Sequence, residues 1–290
     1  MDLLLEASRF VTYTAALQLF GVAVFQRWLV PAGLRTALEP QARPLAILAA
    51  VTLPLSMLAW LAATAGGMAD GWTSAIDPRT LWLVLSATSF GKVWGPLLVL
   101  ATLLVAAAFR RHHWTGLALG AAVALCGLAL VGHAAIAGAG LYGLLSRLSQ
   151  AVHLLSSAFW LGALLPLLIC LPFFRDPIHM EEAEQTLRRF SGLGHFAVAL
   201  LMLSGVANSW FVLGAGGFDL ARPYEQLLAL KVMIAVGMVC LAVGNRYVFV
   251  PRIPNGGPGL RELAQGTIVE IVFSAAILTL VSVIGTMSPG

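Results

Sequence analysis

Charged side chains are scarce in this sequence of 290 residues: Asp, Glu, Lys and Arg together make up only 10% of it. A soluble globular domain carries about 25% charged residues and roughly 45–50% apolar ones, whereas hydrophobic residues here reach 59%. A soluble fold of this composition would lack the polar groups to cover its surface, which excludes that class. Intrinsic disorder is excluded as well, because it requires few apolar residues and a high net charge.

Cysteine and net positive charge are also in short supply. The three cysteines, Cys126, Cys170 and Cys240, lie far apart in apolar segments, so we expect neither a disulfide framework nor a CxxC motif. The formal net charge is +4 and no run of five basic residues occurs, which argues against nucleic-acid binding. The sequence also lacks GxSxG, HExxH and P-loop patterns, so we expect no enzymatic activity.

Long apolar stretches are what the sequence has in quantity. Each is close to the ~20 residues with which a helix crosses a ~30 Å hydrocarbon core, and only a helix satisfies its backbone hydrogen bonds within one such segment. The sequence therefore predicts an all-α polytopic membrane protein, a single domain over residues 1–290 that forms a bundle of eight transmembrane helices in the lipid bilayer. The predicted spans are 8–30, 44–66, 89–109, 115–137, 150–172, 189–213, 225–248 and 262–285.

The distribution of basic residues predicts the orientation. Eleven of the seventeen lie in the breaks after the first, third, fifth and seventh spans. Because positively charged loops stay in the cytoplasm, we expect these breaks to be cytoplasmic and both termini periplasmic. The eleven residues are Arg27, Arg35, Arg43, Arg110, Arg111, Arg175, Arg188, Arg189, Arg246, Arg252 and Arg261.

Two breaks carry a helix-start signal, an aspartate followed by proline. Asp77 and Pro78 precede LWLVLSATSF, which predicts a short interfacial helix on the outer side. Asp176 and Pro177 precede an amphipathic stretch that we expect to continue into the sixth span.

Histidines inside the spans are the strongest pointers to function, because ionisable groups in a bilayer are costly and are functional by default. His133, near the end of the fourth span, and His153, near the start of the fifth, are predicted roughly 5–6 Å below the outer boundary, at 1.5 Å per residue. Imidazole is a common ligand for copper, zinc and haem iron. The two rings can share one ligand, or each can be a separate structural histidine.

Other side chains extend this hypothesis. Met68 and Met287 lie on the same outer side and could complete a soft-metal site, although methionine is more often packing material. His195 and Glu270 enter the sixth and eighth spans from the inner side to matching depths, and with Met202 they mark a candidate ion pathway. The alternative is that His195 and Glu270 are structural or never meet.

The remaining polar side chains in the spans have simpler interpretations. Lys231 is expected to extend to the outer headgroups, or else to repel cations or hydrogen-bond a neighbour. Gln18, Asn208 and Asn245 are expected to form hydrogen bonds between helices.

Several stretches resemble the CopD family, copper resistance protein D of bacterial inner membranes. They are LVGHAAIAG around His133, HLLSSAFWLGALLPL from His153, TSFGKVWGPLL (88–98), LRRFSGLGHFAVALLMLSGVANSW (187–210) and PYEQLLALKVMIAVGMVCLAVGNRY (223–247). The sharpest piece is H-x6-W-L-G, from His153 to Gly162. The resemblance runs through the third to seventh spans.

The resemblance implies an eight-helix inner-membrane protein that takes copper, as Cu(I) or Cu(II), from the periplasm and moves it across the cytoplasmic membrane. His133 and His153 are carried over as candidate periplasmic copper ligands, and His195 more weakly. A periplasmic CopC-like carrier is implied as a copper donor, and we expect it to be a separate protein. Two alternatives stay open: a b-type haem protein that transfers electrons in the membrane, and a non-transporting assembly factor with structural histidines.

Overall fold

The computed structural model describes residues 1–69, 71–110, 113–132, 138, 140–214, 218–255 and 258–287, and these contain helices but no strand. The predicted all-α class is thereby confirmed. Four irregular helical segments interrupt or extend the α-helices in the described part of the chain: π-helical turns at Phe25–Leu29 and Asn245–Phe249, and 3₁₀ segments at Leu171–Arg175 and Val250–Asn255. In the described part of the chain the α-helices are α1 (Asp2–Val24), α2 (Ala32–Met68), α3 (Trp72–Ile76), α4 (Pro78–Ala87), α5 (Ser89–Ala108), α6 (Trp114–Leu128), α7 (Leu141–Cys170), α8 (Met180–Leu213), α9 (Pro223–Gly244) and α10 (Pro258–Ile284).

Seven of these helices are long and apolar enough to cross a membrane: α1, α2, α5, α7, α8, α9 and α10. They correspond to seven of the eight predicted spans. The fourth predicted span, 115–137, is too long, because α6 ends at Leu128 and the chain turns through Gly132, whose φ is 92°. Residues 133–137 lie outside the described residues. The eighth crossing therefore stays a prediction.

The second helix begins earlier than predicted. α2 starts at Ala32 and runs for 37 residues, so Arg35 and Arg43 lie on a helix and not in a loop. Three prolines lie inside it, and each removes one backbone donor. Contacts with the α5–α6 connection hold this part in place: the Arg43 guanidinium donates to the Phe109 carbonyl over 2.7 Å, and the Trp114 indole donates to Glu39 over 3.1 Å.

The amphipathic stretch after Asp176 is confirmed as an extension of the sixth span, since α8 is continuous from Met180 to Leu213. Glu184 and Arg188 form the expected i,i+4 pair, with 2.8 Å between their charged groups. Asp176 does not cap this helix. Its carboxylate accepts from the Ile178 backbone and contacts the His179 ring at 2.6 Å, which closes a turn before the helix begins.

Contacts across the bundle show which ends of the helices lie together. Arg27 donates to Thr115 over 2.8 Å, and Arg189 donates to the Leu29 carbonyl over 3.2 Å, so the predicted basic breaks meet at one end. At the other end, Glu6 lies 3.5 Å from the Thr286 hydroxyl. The start of α1 and the last described turn therefore share one end of the bundle, which we call the outer end; its assignment to the periplasm stays a prediction.

The first helix is the centre of the bundle. Of an apolar 18-residue stretch in it, 72% is buried, and the helix packs on α2, α6, α7 and α10. Where α1 crosses α7, Gly21 lies against Gly162, and no room remains for a β-carbon on either residue. Gln18 donates to the Gly162 carbonyl over 3.1 Å at this crossing, which confirms its predicted role as an interhelical hydrogen-bonder.

The predicted short helix after Asp77 is confirmed as α4, and its position at the outer interface stays a prediction. The Asp77 carboxylate accepts from the Thr80 backbone N–H over 3.0 Å and from the Thr80 hydroxyl over 2.7 Å. These hydrogen bonds, the side-chain one foremost, lower the pKa of Asp77 below its ordinary 3.8.

The Asp77 cap is expected to hold α4 at neutral pH. Asp77→Ala should speed hydrogen exchange of the first α4 amides at pH 7, whereas Asp77→Asn should not, because asparagine also caps. The ionised carboxylate adds to the cap, and this added stabilisation is present above the unfolded-state pKa and is lost as the pH falls through the lowered folded-state value. Wild-type protection should therefore weaken only below about pH 4. Equal exchange in wild type and Asp77→Ala would contradict this role.

The last helices leave an opening in the bundle. α8 packs mainly on α7, and α9 packs mainly on α10. In the apolar 18-residue stretches of α8 and α9, only 11% and 6% respectively are buried. A cleft therefore runs between α8 and α9, with α7 and α10 behind it.

Candidate functional site

Two cavities lie along the cleft, one above the other. The outer cavity, of about 170 Å³, brings Arg9 of α1 and His153 of α7 together with Asn208 of α8 and Lys231 of α9. The inner cavity, of about 320 Å³, is lined by His195 and Glu270 among mostly apolar residues. The sequence analysis predicted candidate residues near both depths, and the structure has a cavity at each of them.

His153 is oriented by a hydrogen bond to the neighbouring helix. Its Nδ1 lies 3.1 Å from the Ser204 hydroxyl oxygen. That hydroxyl already donates its hydrogen to backbone carbonyls, at 2.6 Å from Leu200 and 3.1 Å from Leu201. With its hydrogen used in this way, the hydroxyl accepts from His153, which assigns the proton to Nδ1 and the lone pair to Nε2. No described residue hydrogen-bonds Nε2, and the ring lines the outer cavity.

His133 lies outside the described residues, so its predicted meeting with His153 stays a prediction. The last residues before it, Val131 and Gly132, line the same cavity as His153.

The structure does not bring the two candidate methionines into the outer cavity. Met68 ends α2 with 60% of its surface exposed, and Met287 lies in the turn after α10; neither lines the cavity. Within the described ranges, no group of three or more His, Cys, Asp and Glu side chains could hold a metal ion. Any ligand set around His153 therefore needs residues from outside those ranges or donors of another type.

Arg9 is a residue of the outer cavity that the sequence analysis did not single out, because it was counted among the outer basic residues. It is only 8% exposed, and its guanidinium lies over the Trp60 ring, with 4.8 Å from Cζ to the centroid. Its position inside the first predicted span was the available signal. Lys231 also lines the cavity, so the outer site contains two basic side chains beside His153.

His195 and Glu270 line one cavity, yet each bonds to a different partner. His195 Nδ1 lies 2.7 Å from the Ser191 carbonyl, and its Nε2 lies 3.2 Å from the Tyr247 hydroxyl. Both ring nitrogens are therefore engaged, unlike those of His153. Glu270 is 3% exposed and accepts from Asn245 over 3.0 Å.

The other two predicted interhelical amides are also confirmed. Asn245 reaches α10 through its bond to Glu270, and Asn208 donates to Gln150 of α7 over 2.8 Å. Met202 lies on the exposed side of α8 and lines neither cavity, so it does not join the other pathway residues in this structure.

Comparisons with known proteins agree with the resemblance seen in the sequence. Residues 1–144 match the family "Copper resistance protein D-like, N-terminal domain", and residues 184–284 match the family "Copper resistance protein D". Inner membrane protein YebZ of Escherichia coli (strain K12) is 34% identical over 286 residues, which cover 98% of this chain and 97% of the relative. No solved structure matches the chain.

Two further relatives are named for copper. Copper resistance protein D of Pseudomonas syringae pv. tomato is 30% identical over 308 residues, covering 99% of this chain and 97% of the relative. Copper transport protein CutJ of Bacillus subtilis (strain 168) is 30% identical over 249 residues, covering 81% of this chain but 44% of the relative. With full-length relatives and seven apolar helices, the chain is a multi-pass membrane protein that belongs to the copper resistance protein D family.

Proposed function

We propose that this protein takes copper from the periplasm and moves it across the bacterial inner membrane. The names of two relatives point to copper. The observation that carries the proposal is His153, whose Nδ1 faces the Ser204 hydroxyl and whose Nε2 has no hydrogen-bond partner among the described residues, at a cavity near the outer end of the bundle. A histidine whose other nitrogen is fixed by a neighbouring group is the usual arrangement of a metal ligand.

In this proposal His153 binds copper together with His133, which follows two residues that line the same cavity. Met287 and Met68 are the candidate soft donors at that end, and either would have to move to join the site. Thioether and imidazole together suit Cu(I). The copper is cargo and leaves unchanged, so we propose no catalytic step.

The route inward follows the cleft between α8 and α9. Glu270 supplies a carboxylate in the inner cavity, and His195 supplies an imidazole once it releases the Tyr247 hydroxyl. An inner carboxylate attracts a cation that leaves the outer site. A separate CopC-like carrier is the proposed donor on the periplasmic side, with both termini facing it, and the whole chain acts as a single eight-helix domain.

Copper uptake by proteoliposomes tests this function. Vesicles with a Cu(I)-specific chromogenic chelator inside should develop colour when Cu(I) is added outside, at a rate that rises with the amount of protein. Empty liposomes and liposomes with the His153→Ala variant should stay near background. Uptake no faster than that of empty liposomes would contradict transport. A stoichiometric Soret band in the purified protein would instead favour the haem alternative.

A further inference from the structure

Two basic side chains, the buried Arg9 and the half-buried Lys231, lie at matching depth in the outer cavity. Arg9 lies seven residues beyond the start of α1 and Lys231 eight residues beyond the start of α9, both helices starting at the outer end. At 1.5 Å per residue, both side chains start about 10–12 Å into the bundle. Both line the cavity that contains His153.

Neither cation has a counter-charge among the described residues. Arg9 forms no hydrogen bond or ion pair with them, its Nε is buried with no hydrogen-bond partner among them, and its guanidinium lies over the Trp60 ring. Lys231 likewise forms no hydrogen bond or ion pair with the described residues. The described lining of the cavity contains no Asp or Glu.

The nearest carboxylates by sequence lie outside the cavity. Glu225, six residues before Lys231, is fully buried and lies 3.6 Å from the Arg222 guanidinium, and neither of its oxygens has a hydrogen-bond partner among the described residues. Glu6, three residues before Arg9, lies beside the Thr286 hydroxyl. Neither lines the outer cavity.

A charge removed from water requires an opposite charge or strong hydrogen bonds, and two like charges in one cavity increase that requirement. We propose that the outer cavity binds an oxyanion of the phosphate class, with Arg9 and Lys231 as its cationic partners. The planar guanidinium matches two oxygens of such a group, while the lysine supplies a point charge. Gln150, whose amide oxygen accepts from Asn208, has an amide nitrogen with no hydrogen-bond partner among the described residues, and this nitrogen can act as a neutral donor.

The size and access of the cavity fit this ligand. A volume of about 170 Å³ takes a phosphate group but not a whole lipid. The cleft between the exposed helices α8 and α9 gives acyl chains a place outside the cavity. The phosphate can therefore belong to a phospholipid or be free in solution, and the chemistry at Arg9 and Lys231 is the same. The inference does not depend on copper transport.

The test uses the full-length protein, free of copper and purified in detergent. Phosphorus analysis counts phospholipid molecules retained per protein. Delipidated protein is then titrated with inorganic phosphate, while tryptophan fluorescence reports on Trp60 beneath Arg9 and thermal unfolding reports on stabilisation. The variants are Arg9→Gln and Lys231→Gln. Lys92→Gln is the matched control, since Lys92 is an exposed lysine near the start of α5 that does not line the cavity.

Wild type and Lys92→Gln should bind equally, and both cavity variants should bind at least about tenfold more weakly, as expected for the loss of a charged hydrogen-bond partner. If the phosphorus retained per protein is lower in the cavity variants than in wild type, the ligand is a phospholipid. If the only signal is saturable binding of inorganic phosphate, the ligand is a free anion. Neither signal in wild type, or equal binding in wild type and Lys231→Gln, overturns the proposal. If Arg9→Gln fails to fold, Lys231→Gln decides alone. Because no copper is present, the result is separate from that of the uptake experiment.

Discussion

Replacing His153 by alanine is expected to weaken copper binding by at least about 100-fold, because loss of a metal's supporting neighbours alone typically costs 10–100-fold. His153 is the described imidazole in the outer cavity whose Nε2 has no described hydrogen-bond partner. The measurement is copper bound per purified protein, in competition with a Cu(I) chelator. His133→Ala should have the same effect if the two rings share one ion, and the double variant should be no worse than either single one.

The matched control for this loss is His113→Ala. His113 is exposed and precedes α6, at the other end of the bundle from the outer cavity. Its replacement should leave copper binding unchanged. The double variant His133→Ala/His153→Ala must elute and melt like wild type for this test. If such protein binds copper with wild-type affinity, the outer histidines are not copper ligands.

The Ser204 hydroxyl should tune this site without touching copper. Ser204→Ala removes the acceptor that fixes Nδ1–H, so the ring loses its orientation and affinity should fall by about 10–100-fold. Ser204→Thr keeps the hydroxyl and should restore binding. Ser209→Ala is the control: Ser209 lines the same cavity, but its hydroxyl donates to the Gly205 carbonyl over 2.9 Å. Equal losses in the two alanine variants would indicate a general packing effect.

Hydropathy and helix caps predicted most of the fold. A bilayer requires each span to be long enough to cross it and to satisfy its own backbone hydrogen bonds. The three amides Gln18, Asn208 and Asn245 were predictable for the same reason: a polar side chain in apolar surroundings bonds to a neighbouring helix. Helix ends were less predictable. Gly132 adopts a positive φ beyond the early end of α6, whereas the prolines of α2 are held within a continuous helix by contacts distant in sequence.

The candidate site shows the other limit of sequence reasoning. His153 and His195 looked alike as histidines near span ends, and only their partners separate them. One nitrogen of His153 has no partner in the described part of the chain, whereas Ser191 and Tyr247 engage both nitrogens of His195. Arg9 was missed because counting basic residues by loop assigns it to the terminus. Its burial depends on how the outer ends of α1 and α10 pack, since a β-carbon at Gly285 would overlap its guanidinium.

Replacing Gly162 should have the largest effect on stability. A β-carbon there would overlap the Leu17 carbonyl oxygen, and one at Gly21 would overlap the Gly162 backbone, so the obstacle is main chain on both sides. Overpacking a tight core costs about 1–3 kcal/mol or more, and separating the helices also breaks the Gln18 bond, worth about 0.5–1.5 kcal/mol. We expect Gly162→Ala to lose about 2–4 kcal/mol of unfolding free energy and Gly162→Leu to fail to fold.

Unfolding in mixed detergent micelles, followed by circular dichroism, measures this loss. Gly95→Ala and Gly116→Ala are the matched controls, because nothing lies within 4 Å of a β-carbon at either position. They should match or exceed wild-type stability, since alanine in a helix is favoured over glycine by about 0.5–1 kcal/mol. The α1–α7 crossing also positions the outer cavity, which both helices line. A Gly162→Ala protein as stable as these controls would show that the two helices can separate freely, and the geometry of Arg9 and His153 would then lose its basis.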